Sequence, residues 1–216
     1  MLPKQFNVAG PCKPSLHYMI DPARRLAQAE TSIRRGDYFV IHAARQSGKT
    51  TYLQDIVRRL NAQGDFYALY CSLEAAQNVA DPEKGIPAIL SSLTQSLLMS
   101  DIPFADLFGS EIAHVDYTSA LMVALRRFSG KLDKPFVLLF DEADCLSDNT
   151  LISFLRQLRL GYIEREQEGN AFTFPYSLAL VGMRNIRDYK AQIRPDGQTL
   201  GSASPFNIAA KSLTLA

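Results

Sequence analysis

An excess of charge of either sign is absent from this 216-residue sequence, which has 23 lysines and arginines against 22 aspartates and glutamates. The formal net charge is +1. A chain this balanced has no overall attraction to nucleic acid or to an anionic membrane, although a local basic patch is compatible with it. The charge therefore predicts no clear nucleic-acid partner.

Cysteines and long apolar runs are also scarce. Cys12, Cys71 and Cys145 are far apart and lack CxxC spacing, which predicts reduced thiols rather than zinc ligands. No apolar run approaches the length of a membrane span, and the first 18 residues contain no apolar core of signal-peptide length. We therefore expect a cytoplasmic protein with no membrane partner.

What remains is the composition of a globular protein, 47% hydrophobic and 21% charged. Residues 1–20 include three prolines and show no periodicity, which predicts an extended N-terminal arm. Residues 21–216 have the length of one generous domain with a sizeable core.

Short apolar segments alternate with helical patterns along this domain. Strands are predicted at 37–43, 66–73, 135–144, 176–185 and, at the C-terminus, 205–215. Helices are predicted at 21–35, 49–63, 88–99, 117–129 and 149–169. Residues 75–88 are interpreted as a loop because they contain Asp81-Pro82, Gly85 and Pro87. Strands that are apolar on both faces predict an α/β fold with a covered parallel sheet, whose ligands bind beyond the carboxyl ends of the strands.

The first strand leads into a stretch that follows the phosphate-loop pattern G-x-x-x-x-G-K-[ST], with alanine in the first position. Its predicted phosphate-binding residues are Ala43, Ala44, Arg45, Gln46, Ser47, Gly48, Lys49, Thr50 and Thr51. In such a loop the backbone N–H groups hold phosphate oxygens, the lysine reaches the β- and γ-phosphates and the threonine hydroxyl ligates Mg²⁺. Ala43 weakens the match without breaking it, since its methyl is tolerated at negative φ. A chance match at a helix start is the alternative.

The third strand ends in two acids, Asp141 and Glu142. A strand that is buried beside the phosphate-loop strand would deliver Asp141 to the Mg²⁺ shell, as in a Walker B motif. Glu142 would then orient and deprotonate the attacking water. The alternative is a solvated pair of acids at a strand end.

The apolar part of the fourth strand is followed by Arg184 and Asn185, either of which could sense the γ-phosphate. A surface arginine that caps the strand is the competing interpretation.

Together, "YFVIHAARQSGKTTYL", "FVLLFDEAD", "LVGMRNIRDYK" and "GSASPFNI" resemble the AAA+/STAND superfamily of P-loop ATPases, in particular AAA-like ATPase domains of bacterial proteins. The resemblance spans most of residues 16–213. It implies a three-layer αβα P-loop NTPase fold with about five strands in the order 5-1-4-3-2, and ATP with Mg²⁺ as cofactors. It also implies Arg184 rather than Asn185 as the sensor, and His17, Tyr18 and Met19 near the adenine.

Such ATPases continue into a helical lid, whereas this sequence ends shortly after the fifth predicted strand. We therefore expect an ATPase core without its lid, and slow ATP turnover by it. The resemblance implies a protein partner or a fused effector domain, and it is compatible with a homo-oligomer. An arginine acting on a neighbouring subunit is unassigned, since Arg156, Arg159 and Arg165 are interpreted as solvated helix residues.

Two other functions compete with an ATPase. A STAND-type switch would bind ATP through the same residues, hydrolyse it slowly and expose a surface for a partner. A nucleic-acid helicase is suggested by the string "DEAD" at 141–144. A DEAD-box core needs two such domains in tandem, and neither a PTRELA-like segment nor an SAT after the fourth strand is present.

Overall fold

The computed structural model describes residues 4–6, 15–18, 23–42, 47–109, 115–168, 173–182 and 211–214. Helices and strands alternate along these ranges. The helices are α1 (Ala23–Arg34), α2 (Lys49–Gln63), α3 (Pro82–Leu98), α4 (Tyr117–Ser129) and α5 (Asp148–Glu168). The strands are β1 (Tyr38–His42), β2 (Tyr67–Ser72), β3 (Phe136–Asp141), β4 (Ser177–Gly182) and β5 (Lys211–Thr214).

The five strands form one sheet in the order β2-β3-β4-β1-β5, and every neighbouring pair is parallel. This order is the expected 5-1-4-3-2 read from the opposite edge. Because the strands are parallel, their carboxyl ends share one edge of the sheet. The predicted α/β fold and its strand order are confirmed.

Apolar side chains cover both faces of the sheet and make three layers. Every residue of β3 and β4 is buried, as expected for central strands of a parallel sheet. On one face, β1 packs against α1 and α2 through Phe39, Ile41, Ile33, Leu53 and Ile56. On the other face, α3, α4 and α5 cover the sheet with a larger cluster that includes Ile89, Leu121, Phe140, Phe154 and Leu155.

The prediction of a loop over residues 75–88 is wrong for its second half, because α3 begins at Pro82. Asp81 caps the helix by accepting a hydrogen bond from the Glu83 N–H at 3.0 Å, and Pro82 occupies the first turn, where its missing N–H costs nothing. Gly85 lies against α5, where a Cβ atom would come within 2.4 Å of the Thr150 side chain. The glycine therefore marks close helix packing, not a turn.

The interpretation of Arg165 as a solvated residue is also wrong. Its side chain is 6% exposed and donates to the backbone carbonyls of Pro175, at 2.7 Å, and Gly36, at 3.3 Å, and to that of Tyr176. The guanidinium also lies 4.9 Å from the ring centroid of Tyr162. Arg165 thus ties α5 to the chain segments that enter β1 and β4. Arg156 on the same helix is exposed, as expected.

The described arm consists of two short pieces that pair with each other, since Gln5 and His17 form an isolated parallel bridge. None of the helices in the described ranges combines the length and apolarity needed to cross a bilayer.

Candidate functional site

Thr50, in the first turn of α2, and Asp141, the last residue of β3, lie 91 residues apart in sequence and meet at the carboxyl edge of the sheet. The Thr50 hydroxyl donates to Asp141 Oδ2 at 2.8 Å. The two predicted Mg²⁺ ligands are therefore brought together. The expectation that β3 lies directly beside the phosphate-loop strand is wrong, because β4 lies between β3 and β1 in the sheet. The contact joins the end of β3 to the start of α2.

A left-handed glycine precedes the first residue of α2. Gly48 caps the helix with φ of 81°, in the left-handed region, where a side chain is strained. A Cβ atom there would meet nothing within 4 Å, so the glycine is needed for its conformation. The Ser47 hydroxyl oxygen is buried and has no hydrogen-bond partner among the described residues. Because the N–H groups of a first helical turn lack intrahelical partners, this end of α2 is suited to donate to an anion.

Lys49 is unusually buried for a lysine, with 7% of its side chain exposed. Its Nζ lies 4.0 Å from Glu142 Oε1, a long separation for an ion pair. A buried ammonium needs compensation by negative charge. The geometry therefore leaves Lys49 suited to a further anionic partner between α2 and the end of β3.

Asp141 is fully buried, and its carboxylate is held by three donors. Oδ2 accepts from Thr50 and from the Tyr70 hydroxyl at 3.1 Å, and Oδ1 accepts from the Glu142 N–H at 2.9 Å. Sequence reasoning missed Tyr70, which resembles any apolar strand residue. The signal that could have found it is its strand: β2 pairs with β3, and Tyr70 lies two residues before the position opposite Asp141.

Glu142 has a backbone conformation rare for a residue with a side chain, with φ of 55°. Such a conformation costs of order 1 kcal/mol or more and recurs at functional sites. Burial raises the pKa of Glu142, the charges of Asp141, Asp144 and Glu74 raise it further, and the Lys49 ammonium partly opposes them. A carboxyl with a raised pKa is better able to take up a proton near neutral pH.

Two more polar residues at this edge were not singled out by the sequence. Asp144 lies in the 3-10 turn Ala143–Cys145 and packs on the end of β4, where a Cβ atom on Gly182 would come 2.6 Å from Asp144 Oδ1. His42, opposite Gly182 in the β1–β4 register, has both ring nitrogens buried without a hydrogen-bond partner among the described residues. The end of β4 is thus in contact with the turn that follows Glu142.

Several predicted site residues fall outside the described ranges: Ala43, Ala44, Arg45, Gln46, Met19, Arg184 and Asn185. Tyr18 is described and is 58% exposed. Its ring lies tilted against that of Phe6, with 5.1 Å between the ring centroids, and its N–H donates to the Gln5 carbonyl at 3.1 Å. Its place near an adenine stays a prediction, as do the roles of the residues outside the described ranges.

Within the described part of the chain, no group of three or more His, Cys, Asp or Glu side chains is arranged to hold a metal ion. Mg²⁺ requires no such group, because it is typically held by one or two carboxylates together with water and substrate phosphates. Cys71 and Cys145 are free thiols. Burial raises the pKa of each to about 12, so both keep their proton at neutral pH.

No protein-family model and no curated protein matches this sequence. Solved structures do match. Cdc6p from Pyrobaculum aerophilum is 16% identical, with a TM-score of 0.52 over 90% of this chain and 45% of that protein. The ORC2 protein of Aeropyrum pernix, solved as ADPNP–ADP complexes, is 13% identical, with a TM-score of 0.53 over 89% and 47%. A chain of Drosophila ORC bound to poly(dA/dT) DNA and Cdc6 is 12% identical, with a TM-score of 0.53 over 90% and 29%.

At these identities the likeness shows the fold alone, a five-stranded parallel sheet flanked by helices, and membership of the AAA+ superfamily stays a prediction. The chain spans less than half the length of each of these proteins. The narrower resemblance to STAND and bacterial AAA-like domains stays a prediction.

Proposed function

We propose that this chain is a Mg²⁺-dependent ATP-binding domain that hydrolyses ATP. The observation that carries the proposal is the contact between Thr50 Oγ1 and Asp141 Oδ2 at 2.8 Å, with Lys49 and Glu142 facing each other beside it. These four residues come from a helix start and a strand end that the sequence predicted to meet. Their side chains have the chemistry expected for a triphosphate and its metal.

The residues present fit this ligand. A buried hydroxyl at Ser47 that has no partner among the described residues, a buried ammonium at Lys49 and a left-handed Gly48 make a cradle for phosphate oxygens. Thr50 and Asp141 would hold Mg²⁺, which supplies neutralisation of the phosphate charge when bound. The N–H groups of residues 43–46 would complete the cradle.

Glu142 is the proposed general base. Its raised pKa favours proton transfer from a water molecule, and its left-handed backbone is braced by hydrogen bonds at both ends: its N–H donates to Asp141 Oδ1 and its carbonyl accepts from the Cys145 N–H. The Lys49 ammonium would neutralise negative charge on one side of the site. Arg184 is the proposed sensor of the γ-phosphate, with Asn185 as the alternative.

We further propose that the work done with ATP is performed on a protein partner or a fused effector domain, and that the chain could act as a homo-oligomer. An ATP-gated switch with slow turnover uses the same residues, so it differs from an ATPase only in rate. Among the similar structures, the Drosophila ORC complex is bound to DNA. The near-neutral charge of this chain favours no such partner.

The proposed function can be tested by comparing Lys49→Ala and Glu142→Gln with control variants on α3. Lys84→Ala and Glu83→Gln make the same changes at exposed positions. We expect Lys49→Ala to lose the thermal stabilisation by Mg²⁺-ATP, and Glu142→Gln to keep it while phosphate release falls by about 100-fold or more. Both control variants should behave as the wild type.

Stabilisation of Lys49→Ala by ATP equal to that of the wild type would contradict ATP binding at this site. Unchanged phosphate release by Glu142→Gln would show that another group is the base. Binding without measurable turnover in the wild type would support the switch.

A further inference from the structure

We propose that Tyr70 is a positioning residue that orients Asp141 for the metal and so sets the Mg²⁺ dependence of nucleotide binding. The inference rests on the proposed function, because Asp141 is a metal ligand only if Mg²⁺-ATP binds here. It concerns a residue on a strand that carries no part of either motif.

Asp141 Oδ2 accepts hydrogen bonds from two side chains that lie on different elements of the fold. Thr50, at 2.8 Å, lies in the first turn of α2 and is itself a candidate metal ligand. Tyr70, at 3.1 Å, comes from the middle of β2, whose backbone is paired with β3 along its whole length. The tyrosine is therefore the donor whose position the sheet fixes independently of the phosphate loop.

Burial makes this second donor important. Asp141 is 0% exposed, so water cannot replace a lost hydrogen bond to its carboxylate, and an unsatisfied buried charge is costly. The tyrosine hydroxyl offers one proton to Oδ2 and does not occupy Oδ1, which the Glu142 N–H already holds. Tyr70 thus restricts rotation of the carboxylate.

A tyrosine hydroxyl keeps its proton at neutral pH, so Tyr70 remains a donor to Asp141 Oδ2. Groups that orient a metal ligand typically change metal affinity by about 10- to 100-fold when removed. The substitution Tyr70→Phe keeps the ring and removes only the hydroxyl that donates to Asp141.

Tyr67→Phe is a matched control for Tyr70→Phe. Tyr67 lies on the same strand and also donates its hydroxyl to an aspartate, Asp133, at 3.0 Å. Asp133 is exposed and lies just before the start of β3, at the opposite end from the site. Both substitutions therefore remove one tyrosine–carboxylate hydrogen bond from β2, and only one of them touches Asp141.

The experiment measures binding of a fluorescent ATP analogue in EDTA and across a Mg²⁺ titration, together with thermal unfolding without nucleotide. For Tyr70→Phe we expect the Mg²⁺ midpoint to rise about tenfold or more and the affinity in EDTA to stay within about twofold of the wild type. Tyr67→Phe should match the wild type in both. The unfolding scans check that each variant is folded at the assay temperature.

A wild-type midpoint for Tyr70→Phe, in a wild type that binds the analogue, overturns the inference and leaves the proposed function standing. An equal loss of affinity in EDTA and in Mg²⁺ also overturns it, because the effect would not pass through the metal. A wild type that binds no analogue in either condition removes the proposed function, and the inference with it.

Discussion

Gly182→Ala tests whether the turn after Glu142 is held in place by the end of β4. The new methyl carbon would come 2.6 Å from Asp144 Oδ1 and 2.9 Å from Asp144 Cγ, well inside van der Waals contact. The backbone at Gly182 does not have a positive φ, so alanine fits the strand conformation itself. The clash with Asp144 is therefore the perturbation.

The expected loss of stability follows from two opposing contributions. Forcing extra volume into a packed site typically costs about 1–3 kcal/mol, and replacing a strand glycine by alanine returns roughly 0.5–1 kcal/mol of backbone entropy. Asp144 is partly exposed and can move, which places the clash in the lower part of that range. We expect a net loss of about 1 kcal/mol, or a Tm lower by roughly 2–4 °C for a domain of this length.

The assay pairs thermal unfolding with phosphate release. Gly109→Ala is the control, since a Cβ atom there would lie 3.5 Å from the Thr94 side chain, an ordinary contact. Moving Asp144 should also displace Glu142, two residues earlier, so turnover should fall more than ATP affinity. If Gly182→Ala has the same Tm as Gly109→Ala and hydrolyses ATP at the wild-type rate, the contact between Asp144 and β4 does not position Glu142.

Two further predictions concern stability. Because burial raises the pKa of Glu142 above its ordinary value of 4.5, its charged form destabilises the fold at neutral pH, and this penalty disappears as pH falls below that value. At pH 8, thermal unfolding of Glu142→Gln should therefore give a free energy of unfolding slightly above that of the wild type, by less than about 1 kcal/mol because the side chain is 39% exposed. The difference should vanish near pH 4. A difference that grows in acid would contradict this sign. Arg165→Met should lower the free energy of unfolding in urea by about 3 kcal/mol, because it removes the donor to the buried carbonyl of Gly36 and to the partly buried carbonyl of Tyr176. Arg156→Met should stay within about 0.5 kcal/mol of the wild type. Equal midpoints for the two variants would refute the role of Arg165.

Much of the fold could be predicted because its signals are local. The apolar run of β3 and the stripe of α2 are properties of neighbouring residues. Helix α2 was predicted at its observed bounds, whereas the predicted third strand continues three residues past the observed end of β3 at Asp141. Gly64, expected to end α2, does so with φ of 81° and an N–H that bonds back to the Leu60 carbonyl. The strand order was expected only from the resemblance, since nothing local encodes which strands are neighbours.

The failures share one physical cause, which is that packing overrode a local preference. Gly85 and Pro87 resemble loop residues, yet a well-capped helix contains both. Gly85 lies where α5 brings Thr150 too close for a side chain. Arg165 carries a charge that usually faces solvent, yet several backbone carbonyls and tyrosine rings surround it. Each exception depends on a partner distant in sequence.

The same division holds at the site. The sequence alone determined which residues the proposed function uses, since Lys49, Thr50, Asp141 and Glu142 are recognisable from their spacing and from the strand and helix patterns around them. Only the tertiary structure decided their environment: that Asp141 is fully buried, that Tyr70 shares its Oδ2 with Thr50, and that Lys49 faces Glu142. Spacing encodes local geometry, whereas burial and charge interactions arise from the sum of contacts that distant segments make when the sheet assembles.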